Sequence, residues 1–346
     1  MSDANLPESR PENAENNAEA TAGNSDTSVG SKSTKSPSIG PSVEQEIIEQ
    51  PLPSIEDVVL IDPECLELDL NHHRIDKLEN LEPLKCIERL YLRWNLIKKI
   101  ENLEMLTTLQ EIELYDNQIT KIENLDTLVN LEQLDLSFNR LTKIENLDKL
   151  VKLEKIFLCA NKISKIENLG ILTNLTMLEL GDNKIRKIEN IEMLVNLRQL
   201  YLGKNKITKI ENLDTLVNLE CLSLQANRIV TIENLDKLIN LTELYLSENG
   251  IERIENLENN KNLETLDLAK NRLKSIDNIE ELKDLEELWL NDNSVSDWKS
   301  IETLKENKKL KTVYLEHNPI ANDKMYRFKL RGILPWLEKI DATLCR

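Results

Sequence analysis

Leu109-Gln110-Glu111-Ile112-Glu113-Leu114-Tyr115-Asp116-Asn117 runs into Gln118-Ile119-Thr120-Lys121-Ile122-Glu123-Asn124-Leu125, and the chain keeps rewriting this stretch. The second half returns as Leu141-Thr142-Lys143-Ile144-Glu145-Asn146-Leu147, as Ile163-Ser164-Lys165-Ile166-Glu167-Asn168-Leu169, and again at Ile207 to Leu213. The asparagine of Leu-x-x-Leu-x-Leu-x-x-Asn falls at Asn95, Asn117, Asn139, Asn161, Asn183, Asn205, Asn227, Asn249, Asn271 and Asn293, always 22 residues apart. A fixed period of this size marks a stacked repeat array.

One step before Asn95 the frame reaches His73, with Leu66, Leu68 and Leu70 in register, so the first repeat is atypical, as terminal repeats are. After Asn293 the frame holds through Val295, Trp298, Ile301 and Leu304, three residues are inserted around Lys305 to Lys309, and the last asparagine is Asn318. The array therefore holds twelve repeats.

Each repeat has a readable physical plan. Alternation around Ile112 and Leu114 predicts a short strand with one face in the core. So short a strand needs neighbours on both sides, so the repeats stack their strands into a parallel concave sheet. Asn117 turns the chain, its amide placed to bond backbone groups left unpaired inside the stack. Ile119, Ile122, Leu125, Leu128 and Leu131 recur every three residues, which suits a tight 3-10 or extended return outside. The fold class is α/β, a right-handed horseshoe solenoid with short convex turns.

Residues 1–42 are rich in Ser, Asn, Glu, Pro and Thr and poor in large apolar residues, so they are expected to be a disordered acidic tail. Ser36, before Pro37, is a candidate phosphosite there. Residues 43–62 are expected to cap the first repeat, with Ser54-Ile55-Glu56-Asp57 as a capping-box start. The repeats span 63–318, and 319–346 form a C-terminal cap. In that cap Asp323 is the expected N-cap of a helix through Leu334, stopped by Pro335. Met325, Phe328, Ile333, Trp336, Leu337 and Ile340 are expected to cover the open end of the sheet. Lys324, Arg327, Lys329 and Arg331 are expected to face water.

The formal net charge is −18, from 62 acidic and 44 basic residues. This disfavours nucleic acid and anionic membranes and favours a partner with a basic surface. No run approaches the roughly 18 apolar residues that suggest a membrane span. No secretory leader is visible. Five scattered cysteines point to a reducing compartment, cytosol or nucleus. The three histidines, His72, His73 and His317, sit at the two ends, and no catalytic triad, zinc spacing or phosphate loop is present. No catalytic, cofactor or metal residues are therefore assigned, and the two sequons at Asn174 and Asn240 are read as by-products of the repeat.

The Lys-Ile-Glu-Asn-Leu segment is read as a structural rim. Its lysines (Lys99, Lys121, Lys143) and glutamates (Glu101, Glu123, Glu145) are expected to interleave between copies, each exposed pair worth little. Asn102, Asn124 and Asn146 are expected to bond local backbone. Recognition is assigned instead to the residues that vary, six, four and two positions before each ladder asparagine, on the concave face. The middle column holds six aromatics in a chain that is 4% aromatic, and five carboxylates. Exposed aromatics beside acids match protein-binding hot spots. Strand propensity also favours Tyr, Phe and Trp, but it does not explain their place away from the core. The primary contact residues are Asp135, Phe157, Glu179, Tyr201, Glu287, Trp289 and Tyr314. The secondary ones are Tyr91, Glu113, Tyr245 and Asp267, with a basic-aromatic patch at Arg89, Arg93 and Trp94.

The repeat written Leu-x-x-Leu-x-Leu-x-x-Asn-x-Ile-x-Lys-Ile-Glu-Asn-Leu, as in Leu109 to Leu125, resembles the 22-residue class of leucine-rich repeats. With twelve copies, the Ser/Glu-rich leader and the closing Ile320 to Asp341 cap, the chain is similar to the leucine-rich-repeat regulators of type-1 serine/threonine protein phosphatase. The resemblance implies a nuclear and cytoplasmic regulatory subunit, monomeric on its own, acting in mitosis and chromosome segregation. Its partner would be the phosphatase catalytic subunit, alone or with a further inhibitor subunit, held on the concave face. A non-phosphatase scaffold, axonemal, tubulin-linked or splicing, is the alternative.

Overall fold

A computed structural model describes Ser54, Ile55 and residues 62–345. The 1–42 tail with Ser36, and most of the 43–62 cap with its capping box, lie outside the described residues.

Each coil contributes one strand of three residues, from β1 (Glu67–Asp69) to β12 (Thr312–Tyr314), all parallel and hydrogen bonded in chain order. The register does not drift: Ile112 stands opposite Leu90 and Leu134, one repeat away on each side. β13 (Lys339–Ile340) continues the sheet in parallel, and β14 (Thr343–Leu344) closes it antiparallel. Behind the strands one column of Ile and Leu per repeat position fills the interior. Ile112, Leu114, Ile119, Ile122, Leu125, Leu128 and Leu131 are all fully buried, and the same holds in the neighbouring coils. Each such side chain contributes roughly 1.5–3 kcal/mol by leaving water.

The return path is built as the three-residue period predicts. Leu128 N donates to Leu125 O and Leu131 N to Leu128 O, both at 3.0 Å, giving single 3-10-type turns. The three inserted residues lie earlier than the expected Lys305 to Lys309, because Thr303 already reaches Ile276 O across 27 residues where Asn124 reaches Ile100 O across 24. They lengthen one return into α1 (Trp298–Ile301), capped by Asp297 through Lys299 N at 2.8 Å, followed by a 3-10 helix at Glu302–Glu306.

Three asparagine ladders tie the coils together. Asn117 Nδ2 donates to Leu92 O at 2.9 Å, Leu114 O at 3.1 Å and Tyr115 O at 3.3 Å, while its Oδ1 accepts from Ile97 N at 3.0 Å. The pattern repeats through Asn318, which reaches Leu290 O and accepts from Val295 N. The rim asparagines form the second ladder, and here the expectation of local bonding is corrected. Asn124 Nδ2 bonds Ile100 O at 2.7 Å, in the previous coil, and Asn146 bonds Ile122 O likewise. These residues sit at φ near +60°, Asn124 at 59°, a conformation that asparagine tolerates better than other residues with a side chain. The third ladder uses Asn174 and Asn240 of the sequons, bonded to Val151 O and Val217 O at 2.9 Å.

Two further expectations change. The rim charges pair within a coil, Lys99 with Glu101 at 3.1 Å and Lys121 with Glu123 at 3.4 Å, because residues two apart on an extended segment share a side. In the cap, the helix is α2 (Tyr326–Ile333), and Asp323 is not its N-cap. A 3-10 helix at Pro319–Asn322 occupies the preceding turn, so Asp323 accepts from Met325 N at 2.9 Å one turn early. Arg327 does not face open water but donates to Ile340 O at 2.8 Å, and Lys329 lies 5.2 Å from the Trp298 ring centre. Met325 and Phe328 remain exposed, while Leu337 and Ile340 are buried.

Asn161→Ala would orphan Leu141 N and strip Leu136 O, Leu158 O and Cys159 O of a donor. We expect a loss of roughly 3 kcal/mol in chemical denaturation, from buried backbone groups left unpaired. Asn174→Ala, on the exposed ladder, should lose about 1 kcal/mol or less.

Candidate functional site

The constant register gathers the middle column into one row across the concave sheet. Tyr91, Glu113, Asp135, Phe157, Glu179 and Tyr201 are consecutive cross-strand partners. Beyond Ser223 the row continues through Tyr245, Asp267, Trp289 and Tyr314. Every sequence-selected residue of this column is therefore brought into one line, with Glu287 on the same strand two residues before Trp289.

The row is not uniformly exposed, which corrects the expectation of an open binding strip. Glu113, Asp135, Ser223 and Asp267 are buried, Asp135 at 7% exposure. The cause is a second use of the carboxylates. Asp135 accepts from Ser137 N at 2.8 Å, Asp267 from Ala269 N at 3.0 Å, and Glu179 from Gly181 N at 3.0 Å. Each acid caps the backbone where the chain leaves its own strand. Glu113 instead meets Arg93, with Nε to Oε2 at 2.5 Å. Burial raises the carboxyl pKa of Asp135 and Asp267, opposed by those N–H donors.

At the C-terminal end, Trp289 is 37% exposed, its indole Nε1 donates to Glu287 Oε2 at 3.3 Å, and its ring lies 5.2 Å from that of Tyr314. Lys339 Nζ stands 5.1 Å from the Tyr314 ring centre. Of the row from Tyr91 to Tyr314, Trp289 is the member that is exposed, the others being half-buried or buried. In the middle, Glu179 and Tyr201 line a depression of about 220 Å³ edged by Phe138. A Cβ on Gly181 would lie 2.7 Å from Glu179 Oε1, and one on Gly203 would lie 2.9 Å from Gln225 Cδ, so a side chain at either position would push the end of its flexible neighbour aside. Burial pushes the Glu179 carboxyl up to about 7, with the Gly181 N–H pulling the other way. Burial, with the Glu179 charge nearby, pushes the Cys159 thiol up to about 12, so it is not poised as a nucleophile.

One aromatic group was missed. His72 stacks on Trp94 with ring centres 4.2 Å apart, Trp94 meets Tyr115 edge-on at 5.5 Å, and Tyr115 meets Phe138 at 4.8 Å. Trp94, of the expected basic-aromatic patch, sits inside this run, and Arg93 lies 5.9 Å from the Tyr115 ring centre. Trp94 and Phe138 occupy the position immediately before the ladder asparagine, which the six, four and two spacing passed over. That position is left-handed in every coil, φ 55° at Trp94 and 54° at Phe138, which swings its side chain beside the concave columns. A bulky residue at a left-handed position was the available signal.

Among the described residues no group of three or more His, Cys, Asp or Glu could hold a metal ion, and the five cysteines are free. The arrangement offers aromatic faces and carboxylates along one line, which is binding chemistry.

A family profile for tandem leucine-rich repeats ("Leucine Rich repeats (2 copies)") matches residues 107–149, 129–170, 173–215, 217–259 and 261–306. No curated protein matches the chain. Among solved structures, an internalin (InlF) of Listeria monocytogenes is 24% identical, with 81% of this chain and 87% of that chain covered at TM-score 0.65. A leucine-rich-repeat protein of Leptospira interrogans is 26% identical, covering 75% and 73%, at TM-score 0.63. Internalin C2 of Listeria monocytogenes is 30% identical over 56% of this chain and 84% of that one, at TM-score 0.52.

Because carboxylates of the row double as caps, Asp135→Ala should lower the unfolding free energy by about 1–2 kcal/mol, whereas Trp289→Ala should stay within about 0.5 kcal/mol. Glu179 adds a pH signature. Between its unfolded pKa near 4.3 and its folded value of about 7, the folded chain keeps a proton that the unfolded chain has lost. Stability therefore falls as pH rises through that window. Thermal melts should show Glu179→Gln gaining on the parent protein from about pH 5 to pH 8.

Proposed function

The chain belongs to the leucine-rich-repeat family, and from that premise we propose that it is a regulatory subunit of type-1 serine/threonine protein phosphatase. Arrays of this family are interaction scaffolds, and this one is suited to protein–protein contact. The catalytic subunit, alone or with a further inhibitor subunit, would lie along the concave row and have its activity, maturation or localisation controlled from there. The setting would be nucleus and cytoplasm, with the free chain a monomer.

The single observation that carries this reading is the row itself. Glu287, Trp289 and Tyr314 at one end, and Phe157, Glu179 and Tyr201 in the middle, put aromatic anchors beside carboxylates in one register. With a net charge of −18 behind it, such a row favours a partner carrying basic residues, and its electrostatics favour fast association. The similarity of the 22-residue repeat to the phosphatase regulators supplies the partner's name. Residues 1–42 hold no Arg/Lys-Val-x-Phe docking segment, and Lys311-Thr312-Val313-Tyr314 has the wrong spacing for one. Lys311-Thr312-Val313-Tyr314 belongs to β12 and its surroundings, with Thr312 and Val313 buried. Binding would thus depend on the folded array.

Pull-down with the purified chain, read by mass spectrometry, should recover the phosphatase catalytic subunit; its absence, with axonemal, tubulin or splicing proteins in its place, would reject the assignment. Trp289→Ala or Glu179→Ala should weaken the complex by about 2 kcal/mol or more, on the order of thirtyfold. Glu123→Ala and Glu145→Ala on the rim should leave affinity unchanged, and equal losses there would move the site off the concave face.

A further inference from the structure

A second surface lies beside the concave row, in the N-terminal coils. Trp94, Asp116 and Phe138 each stand one residue before a ladder asparagine in three successive coils, so they fall in one column. Each donates its N–H to the next coil, Trp94 to Tyr115 O and Asp116 to Ser137 O at 3.0 Å, and Phe138 to Cys159 O at 2.8 Å. That bonding sets column neighbours about 4.8 Å apart. All three are left-handed, at φ 55°, 51° and 54°, so their side chains leave the backbone on the same side. Tyr115 bridges the two rings, 5.5 Å from Trp94 and 4.8 Å from Phe138. Trp94 is 41% and Phe138 46% exposed, and Asp116 is exposed between them. Large aromatic side chains exposed together mark an interaction site, where scattered single ones do not.

The carboxylate at the centre decides what the rings would meet. Two other acids of this column pair with the base of the following coil, Glu248 with Lys270 at 2.8 Å and Asp292 with His317 at 2.9 Å. Asp116 has rings for column neighbours instead, and its carboxylate has no ion pair or hydrogen bond among the described residues. Elsewhere the rings come with a cation of their own. Lys308 stands 4.0 Å from the Trp336 ring centre, Lys329 5.2 Å from Trp298 and Lys339 5.1 Å from Tyr314. In the platform only Tyr115 has one, Arg93 at 5.9 Å, whose Nη2 is already bonded to Glu113 Oε1 at 2.6 Å. Among the described residues no cation lies over Trp94 or Phe138, and the charge set between them is negative.

We propose that the platform of Trp94, Tyr115 and Phe138, with Asp116 set into it, binds an arginine side chain of a partner protein. A guanidinium is flat, stacks on aromatic faces and meets one carboxylate with two parallel N–H groups. Both halves of that recognition stand in the one column, ring and carboxylate about 4.8 Å apart. A methylated or quaternary ammonium is held by rings that enclose it as a cage, whereas these rings touch one another and are open on their outer side. The site uses none of the residues of the concave row from Tyr91 to Tyr314, and it is separate from whatever partner that row takes.

The test uses the full chain with isotope-labelled tryptophan, whose four indole signals come from Trp94, Trp289, Trp298 and Trp336; Trp94→Phe assigns the first. N-acetyl-arginine amide is titrated in, with its neutral citrulline counterpart, N-acetyl-lysine amide and tetramethylammonium as comparisons. Arginine should move the Trp94 signal saturably, citrulline should not, and both ammonium probes should bind more weakly. Asp116→Asn and Phe138→Asn should each raise the apparent Kd by roughly threefold or more. Asparagine accepts the left-handed backbone at both positions, and Asp116→Asn should leave the thermal midpoint unchanged, so a folding defect cannot account for its loss. Because the probe is a single side chain, the outcome does not depend on whether a phosphatase binds the concave row. The proposal is overturned by a Trp94 signal that does not saturate, by a response that survives Asp116→Asn, or by equal binding of citrulline. Preference for lysine or tetramethylammonium overturns it in favour of an ammonium site, and a Trp94 signal that moves with protein concentration alone makes a second copy the occupant.

Discussion

The whole molecule depends on one obligation, that backbone N–H and C=O groups turned inward between coils must find partners where no water reaches them. A three-residue strand satisfies only its own edges. The turn that follows leaves carbonyls such as Leu92 O and Leu114 O pointing into the stack, and one carboxamide serves them while accepting from the coil before. An amide is the fitting group because it carries donors and an acceptor on one short plane. Ladder asparagines therefore act between coils as much as within them. No coil is complete alone, and the 22-residue period is the length at which this exchange closes.

That obligation explains why the fold was legible and the site only partly so. The ladder asparagines and the Ile/Leu columns are dictated by position, and they recur in the chain with a spacing that cannot be missed. The concave residues Phe157, Tyr201, Trp289 and Tyr314 were legible by subtraction, as positions that packing does not fix. What subtraction could not reveal is that Asp135 and Asp267 also serve their own backbone, since a buried cap and an exposed contact are the same letter in the sequence. The run from His72 to Phe138 escaped because the strand period of two does not describe a residue at φ near +55°. In the cap, Asp323 looked like a helix N-cap, but the 3-10 turn before it shifted the helix start beyond its reach.

The concave acids thus hold two positions at once. Their burial beside backbone donors orients them, which reduces the ordering needed on binding, and it ties recognition to the integrity of the coil beneath. At Glu179 the same burial brings a carboxyl toward neutrality, so the charge that a basic partner would meet varies around physiological pH. Trp289 and Tyr314 carry no such duty. They rest on each other and on Glu287, leaving faces open to a partner.

The residue before each ladder asparagine is left-handed from His72 to His317, yet it is filled by Trp, Phe, Asp, Lys, Glu and Ala in turn. Backbone there is dictated by the stack, while the side chain has no place in the interior to fit. Each coil therefore owns one address whose geometry is fixed and whose chemistry is free. A lineage of such arrays can exchange binding specificities coil by coil at that address, without renegotiating the packing underneath, and the same column could be rewritten by design.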